Sequence, residues 1–316
     1  MQLIINNISK RFGEKYVVKD FNLNINKGEI LSILGPSGCG KTTVLKMIGG
    51  FLHPYSGSII LDGEDITTLP PEKREVSTVF QSFALFPHMK VIDNIVYGLK
   101  FKGYSKREAL KKGEEYLSLI GLIEERNSYP STLSGGQKQR VALARSLILN
   151  PKVLLLDEAL SSLDVNLRVK MRSEVKEIGK RFNTTMIFVT HDQDEALSIS
   201  DKIAVMNMGC IQQIGSPREI YENPSNNFVR NFLGECNSIA IKDKEINIRP
   251  EKIRLISISE KNIVGKAVLN GIVRKKVFMG FYIQYEVELE NKEVLTVREL
   301  DEKDEFCIEE CVKVVI

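Results

Sequence analysis

Gly35-Pro-Ser-Gly-Cys-Gly-Lys-Thr42, preceded by Glu29-Ile-Leu-Ser-Ile-Leu34 and running into Lys41-Thr-Thr-Val-Leu-Lys-Met-Ile48, decides the fold of this chain. A short apolar run of strand character, a glycine-rich turn and a helix-spaced segment ending at Gly49-Gly50 form the context that the pattern G-x-x-x-x-G-K-[ST] requires. The loop Gly35, Pro36, Ser37, Gly38, Cys39 and Gly40 is expected to wrap phosphates, its glycines letting the backbone N–H groups, which Pro36 lacks, close around them with the aid of the positive end of the helix dipole. Lys41 is expected to reach the β- and γ-phosphates of a nucleotide and Thr42 to offer its hydroxyl to Mg²⁺, with Thr43 grouped in the same loop. A chance glycine turn before a helix is the bland alternative, and the pattern in its context outweighs it.

Val153-Leu-Leu-Leu-Asp-Glu158 supplies the other half of a metal site. Four apolar residues read as a buried parallel strand that delivers Asp157 at its C-terminal edge, where open α/β sheets bind ligands. Asp157 is the expected Mg²⁺ partner, and Glu158 is placed to orient or deprotonate an attacking water. On a bare strand an Asp-Glu pair is more often an exposed strand end; the phosphate loop upstream changes that weighting.

Leu133-Ser-Gly-Gly-Gln137 precedes a segment whose Val141, Leu143, Ala144, Leu147 and Ile148 fit one helix face. Ser134 is a natural N-cap, and Gly135 and Gly136 allow close backbone approach to an anion. The chain thus carries two helix N-termini built to hold phosphate. One copy has no obvious use for both, so two copies are expected to share their nucleotides.

In these segments the chain resembles the ATP-binding subunit of an ATP-binding-cassette (ABC) transporter, and further motifs of that family follow in order. Gln81, after the strand-like Val76-Ser-Thr-Val-Phe80, resembles the Q-loop glutamine that senses Mg²⁺ and the γ-phosphate. Ser161-Ser-Leu-Asp164 resembles the D-loop, so Asp164 joins the nucleotide-binding set. His191, ending Thr185-Met-Ile-Phe-Val-Thr190, resembles the switch histidine that contacts the γ-phosphate. A lone histidine there is usually a capping or packing residue, and the ordered series favours the functional reading. Phe12 resembles the aromatic on which adenine stacks, with Tyr16 the other candidate. Related importers usually carry Pro after the glutamate of the Asp-Glu pair; here Ala159 stands there, and a looser loop is expected. Cys39 is expected to contribute only its backbone, since redox chemistry needs a lowered thiol pKa.

Composition narrows the class. The 316 residues suffice for two domains with sizeable cores. Lys plus Arg total 44 against 41 Asp plus Glu, a net charge of +3 that is too slight to argue for nucleic acid. Five cysteines without a secretory leader point to a reducing compartment, and Cys307-Ile-Glu-Glu-Cys311 lacks C-x-x-C spacing and a nearby histidine. No apolar run approaches a membrane span, so membrane attachment is expected through a partner.

Up to about residue 235 helices and strands alternate. Ser105-Lys-Arg-Glu108, Asp192-Gln-Asp-Glu195 and Ser216-Pro-Arg-Glu219 each pair an N-cap residue with a glutamate three positions on. Residues 202–215 read as a hairpin turning near Gly209. From about Asn237 onward residues alternate with period two, in Glu245–Arg249, Lys252–Ile258, Tyr282–Leu289 and Val294–Val297, as in a small β-barrel. Ile248-Arg-Pro-Glu-Lys-Ile-Arg-Leu255 and Phe278-Met-Gly-Phe-Tyr282 resemble the TOBE domain, an OB-like barrel appended to many importer ATPases. An early stop at Val-Lys-Val-Val-Ile316 suggests an abbreviated barrel, or one that borrows strands. The expected fold is an α/β P-loop NTPase of the ABC-cassette type over 1–235 with a smaller all-β OB-like domain over 236–316.

The resemblance implies a homodimer of ATPase subunits with ATP and Mg²⁺ at two interfacial sites. Phe12, the phosphate loop, Gln81, Asp157, Glu158 and His191 of one copy would face Ser134, Gly135, Gly136 and Gln137 of the other. It also implies two integral-membrane permease subunits at the cytoplasmic face of the membrane and, indirectly, a solute-binding protein. Phe83, Leu85 and Phe86 are expected on the surface that receives a permease helix, with some of them packing in the core as the bland alternative has it. Phe232-Leu-Gly-Glu235 and Ile248-Arg-Pro-Glu251 look most like the polyamine, ferric-iron and quaternary-amine importer group, with a polyamine or similar cation preferred and sugars ranked lower. A soluble ABC ATPase of repair or translation is the reading from another class; its long coiled-coil insertions or tandem cassettes are not seen here. A nucleotide binder that does not hydrolyse is opposed by the intact Glu158 and His191.

Overall fold

The computed structural model describes residues 1–160, 165–241, 244–260, 267–300 and 306–316. The chain divides into two units, Met1–Val229 and Arg230–Ile316.

In the first unit β1 (Leu3–Phe12), β2 (Lys15–Ile25), β4 (Ser56–Leu61) and β5 (Glu64–Asp65) form an antiparallel sheet in the order β2-β1-β4-β5. A second sheet contains β3 (Ile30–Leu34), β6 (Val76–Val79), β7 (Val153–Asp157), β8 (Thr185–Thr190), β9 (Lys202–Asn207) and β10 (Cys210–Gly215), in the order β10-β9-β3-β8-β7-β6. It is parallel except for the β9–β10 hairpin, which turns at Met208-Gly209.

Helices α1 (Lys41–Ile48), α2 (Val91–Val96), α3 (Lys106–Leu119) and α4 (Gly135–Leu147) are followed by α5 (Val165–Phe182), α6 (Gln193–Ile199) and α7 (Pro217–Glu222). The final helix, α8 (Asn227–Phe232), spans the boundary between the units.

The buried strands are continuous apolar runs because both faces of the sheet are covered. Alternation sorts their side chains between two cores. Val153 and Leu155 of β7 join Ile187, Val189, α1 and the β1–β2–β4 sheet. Leu154 and Leu156 join Met186, Phe188, α4 and α5. A third core unites α2, α3 and α4 through Ile92, Ile95, Leu117, Val141 and Ile148. Reciprocal capping boxes open α3 at Ser105 and α7 at Ser216, as the spacing predicts.

In the second unit β11 (Asn237–Ile241) pairs with β12 (Lys244–Ile248). A five-stranded antiparallel sheet holds β13 (Arg254–Ser257), β14 (Val268–Phe278), β15 (Tyr282–Leu289), β16 (Val294–Leu300) and β17 (Cys311–Val315) in the order β13-β17-β14-β15-β16. β15 alternates without a break, burying Ile283, Tyr285, Val287 and Leu289. β14 does not alternate, because its pairing with β15 slips between Val273 and Lys275, and this hides it from a period-two reading.

The sheet curls: the Leu255 N–H of one edge strand donates to Glu299 Oε1 on the other at 2.7 Å. The Asn237 amide exchanges hydrogen bonds with the Thr296 backbone at 2.7 and 2.8 Å. β17, at the end of the given sequence, sits between β13 and β14 and pairs with both.

The expected boundary at 235/236 moves to 229/230, and Arg249 gives the reason. Its Nη1 donates to the carbonyls of Arg230, Gly234 and Glu235 at 3.1, 2.7 and 3.1 Å, tying that segment to the second unit.

Candidate functional site

The phosphate loop lies between β3 and α1. Gly40, with φ of 106°, is the N-cap of α1, and no side chain caps this helix. Its first-turn N–H groups at Lys41, Thr42 and Thr43 therefore compete with no local oxygen for an anion. A Cβ on Gly35 would strike the carbonyl of Met206, and one on Gly40 would lie 2.6 Å from the carbonyl of Val17. Gly38 has φ of 79° and Ser37 is exposed, while Pro36 is half-buried. Lys41 is buried and its ammonium donates to the carbonyls of Gly35 and Pro36 at 2.8 and 2.9 Å. Cys39 is buried within the loop, and burial pushes its thiol above the ordinary range against the opposing charge of Lys41. That keeps it a thiol near neutral pH, in line with a backbone-only role.

Strand β7 lies beside β8, itself beside β3, so Asp157 emerges near the start of α1. Thr42 Oγ1 donates to Asp157 Oδ1 at 3.2 Å. Burial raises the Asp157 carboxyl above its ordinary value, with the Glu158 charge adding and the Thr42 hydrogen bond, Lys46 and Lys41 opposing. A hydroxyl and a carboxylate are the hard oxygen donors that suit Mg²⁺, and a bound cation would favour the ionised acid.

Glu158 occupies left-handed backbone, φ 45°, with its N–H donating to the Val189 carbonyl at 3.0 Å. Ala159 is fully buried in the second core, so the turn is pinned on both sides where a looser loop is expected from sequence. Glu158 Oε1 and His191 Nδ1 stand 3.2 Å apart.

His191 follows β8 and is itself exposed, but its neighbours are braced. Thr190 Oγ1 donates to Glu195 Oε2 at 2.6 Å and accepts the Asp192 N–H at 3.0 Å. Asp192 caps α6 by accepting the Glu195 N–H and takes ion pairs from Arg168 and Arg172 at 3.3 and 3.2 Å. The spacing of Asp192 and Glu195 suggests a reciprocal capping box; instead the Glu195 side chain turns inward to Thr190.

Glu195 is 1% exposed. Burial raises its carboxyl pKa, with Asp192 adding and the Thr190 hydrogen bond and both arginines opposing. A carboxyl raised on folding contributes stability that is full below its ordinary value of 4.5 and lost as pH rises through the folded value. Glu195→Gln, which stays neutral and can still accept from Thr190, is therefore expected to melt higher than the parent at pH 7. The two should converge toward pH 4. A lower melt across that whole range would refute the assignment.

The helix α4 begins at Ser134, exposed, with a full capping box: Gln137 N–H donates to Ser134 Oγ at 3.3 Å and Ser134 N–H to Gln137 Oε1 at 2.9 Å. Gln137 Nε2 also donates to Glu125 at 3.0 Å, so this glutamine fixes the helix start. Gly135 is exposed, and a Cβ on Gly136 would press on Leu167 of α5 at 3.0 Å. α4 packs against β6, the sheet edge, while α1 follows β3. β3 and β6 are three strand steps apart, about 14 Å at the usual spacing.

Gln81 is exposed just beyond β6. Phe12 and Tyr16 flank the β1–β2 turn and are 53% and 45% exposed, so both candidates for the adenine contact remain accessible. The hairpin that carries them abuts the phosphate loop where Val17 meets Gly40. Asp164 lies outside the described residues. The expected docking cluster divides. Phe83 is buried in the second core, Leu85 packs half-buried against the second and third, and Phe86 is half-buried, its ring tilted against Tyr97 with centroids 4.6 Å apart. Apolar residues in a connecting segment had two possible destinations, and here the core takes Phe83 while Phe86 stays half-buried.

Sequence reading missed Arg74, Arg145 and the inward turn of Glu195. Single arginines carry no spacing signal, and their partners are backbone carbonyls, which any residue supplies.

The ABC transporter family pattern matches residues 18–161 and the TOBE domain pattern residues 246–314. An Fe(3+) ions import ATP-binding protein, FbpC of Rhizobium etli, is 43% identical over 310 residues, covering 89% of this chain and 86% of the relative. The spermidine/putrescine import ATP-binding protein PotA of Mannheimia succiniciproducens is 43% identical over 333 residues, covering 95% and 89%. The chain belongs to the ABC transporter ATP-binding family. A solved post-hydrolysis dimer of the ATP-binding cassette MJ0796, bound to ADP and Pi, aligns with TM-score 0.61 and 33% identity, over 68% of this chain and 99% of that one. The chain is thus an ABC-type ATPase with a TOBE domain, and the α/β cassette and β-rich second unit are those of that family. Among the described residues no helix of the cassette or its TOBE domain is long and apolar enough to cross a membrane.

Proposed function

We propose that this ATPase works as a symmetric dimer that powers import of a small cation through two permease subunits at the cytoplasmic face of a membrane. The observation that carries the reading is the pairing of Glu158 with His191 at 3.2 Å beside the Thr42–Asp157 contact. In it the α1 N-terminus and Lys41 hold the phosphates, Thr42, Asp157 and Gln81 hold Mg²⁺, and Glu158 takes the proton of the attacking water. Bound Mg²⁺ would neutralise charge developing on the phosphates. His191 orients Glu158 and the terminal phosphate. The Ser134–Gln137 helix start, exposed at Ser134 and Gly135, serves the nucleotide of the second copy, and such a contact is isologous. Asp164 completes the family set as a nucleotide neighbour.

Relatives named for spermidine/putrescine and for ferric ions support the reading of a cationic cargo, and we favour a polyamine delivered by a solute-binding protein. Ferric ion is the second reading, favoured by relatives of equal identity.

With Phe83 and Leu85 in the core, a different surface suits a permease helix. A cavity of about 500 Å³ opens among Met89, Val96, Tyr97, Tyr104, Leu110 and Tyr129. Tyr129 is 45% exposed, so Tyr129→Glu is expected to leave the melt and ATP hydrolysis unchanged. It should abolish co-purification with the permease subunits and cellular uptake of labelled spermidine, because the new charge must be desolvated on docking. Normal co-purification would remove this groove from the interface. Uptake of ferric ion but not spermidine by the unmodified system would overturn the polyamine reading.

A further inference from the structure

The segment from β6 to α2 carries Gln81 and is held at two points. Asn94, fully buried, accepts the Phe86 N–H at 2.7 Å and donates to the carbonyls of Phe86, Met89 and Lys90 at 3.1, 3.2 and 3.1 Å. Closer to Gln81, Phe83 and Ala84 are both in left-handed backbone, with φ of 59° and 46°. Residues with a Cβ seldom enter that region, and rarely in succession. The turn is covered by Arg145 of α4. Its Nη2 donates to the Phe83 carbonyl at 2.9 Å and its Nη1 to the Ala84 carbonyl at 2.7 Å, while the guanidinium lies 5.6 Å from the Phe86 ring. Two parallel donors in a rigid fork fix an orientation that a point charge would not.

Arg145 lies eleven residues beyond Ser134 on one unbroken helix, about 16 Å along its axis. The helix therefore connects the edge assigned to the second copy's nucleotide with the turn two residues beyond Gln81. We propose that Arg145 is a positioning residue: it straps the Phe83–Ala84 turn to α4, so that a shift of α4 carries the Gln81 segment with it. The proposal rests on the roles given above to Gln81 and Ser134.

The test compares full-length Arg145→Met and Arg145→Lys, each with and without Ala84→Gly, by ATPase kinetics, thermal melt and amide hydrogen exchange. Arg145→Met keeps an apolar stem but no donor. Its kcat should fall on the order of 10- to 100-fold, the scale of a small misplacement of a catalytic group, with KM for ATP changed less than about threefold. Exchange at the Phe83 and Phe86 amides should quicken. Arg145→Lys should recover part of kcat through a single donor. Ala84→Gly should recover more, since glycine adopts left-handed backbone without a strap. Should Arg145→Met not fold, Arg145→Lys carries the same readouts. Parental kcat in folded Arg145→Met, an equal loss with and without Ala84→Gly, or unchanged exchange at Phe83 would each overturn the proposal. The exchange measurement decides the strap even if the parent protein hydrolyses no ATP, a result that would defeat the functional reading separately.

Discussion

Glu158→Gln is expected to lower ATP turnover by roughly 10²-fold or more while ATP remains bound, the scale of losing a positioned general base. The substitution is close to isosteric, and the features that hold the residue survive it. Its N–H still donates to Val189 and the buried Ala159 still anchors the turn. The contact with His191 Nδ1, 3.2 Å away, is also available to an amide oxygen. What disappears is a carboxylate able to accept the proton of water. With chemistry blocked and closure intact, the variant should accumulate as an ATP-bound dimer, measurable by light scattering. Adding Ser134→Arg, at an exposed N-cap, should return it to the monomer with nucleotide still bound. Near-parental turnover by Glu158→Gln would remove this residue from the chemical step.

Arg74→Ala should produce the largest loss of stability. Arg74 is 5% exposed and its guanidinium closes the C-terminal end of α1. Nη1 donates to the carbonyls of Met47 and Ile48 at 2.7 and 2.8 Å, Nε to Leu69 at 2.8 Å and Nη2 to Thr67 at 3.0 Å. The positive charge also sits where the helix dipole is negative. Truncation leaves buried carbonyls without donors, at about 1–3 kcal/mol for each unsatisfied group, and opens a cavity. A total of about 3–5 kcal/mol should lower the midpoint of a thermal melt by on the order of 10 °C in a unit of this size. Arg74→Lys, with one compact donor group, should regain only part of that. A shift below about 2 °C for the alanine variant would show that the carbonyls find other partners, given the size scaling of melts.

Much of the cassette is legible because its signals are local. The β3–α1 passage announces itself through glycines that backbone crowding requires, and Ser105, Ser134 and Ser216 cap helices through atoms three residues away. β7 reads as a buried strand since apolar residues fill both faces. In the misreadings a contact outside the local pattern overrules it. Glu195 has the spacing of a capping glutamate, yet a hydroxyl from the end of β8 draws its carboxylate inward. Phe83 stands before an alanine rather than a glycine, and nothing in its sequence context signals a left-handed turn, because the guanidinium of Arg145 lies 62 residues away. β14 loses its alternation at a register slip, so one of the longest strands of the second unit left the faintest trace.

The sheet of the second unit is closed by its latest strand in sequence. β13 and β14 do not pair with each other; each pairs with β17, which lies between them. On a ribosome β14 pairs at once with β15, and its other edge has no neighbour until residues 311–315 emerge. Roughly 30–40 residues of synthesis intervene, on the order of 2–8 s at ordinary elongation rates. Through that interval β14 presents an open edge in a cell crowded with nascent chains, a template for unwanted pairing. Within the cassette the corresponding gap is longer: β3 pairs with β8 and β9, which begin at residues 185 and 202. The two gaps end differently: the edges of β3 are covered before the first unit is complete, whereas that of β14 stays open until the last described strand has been made.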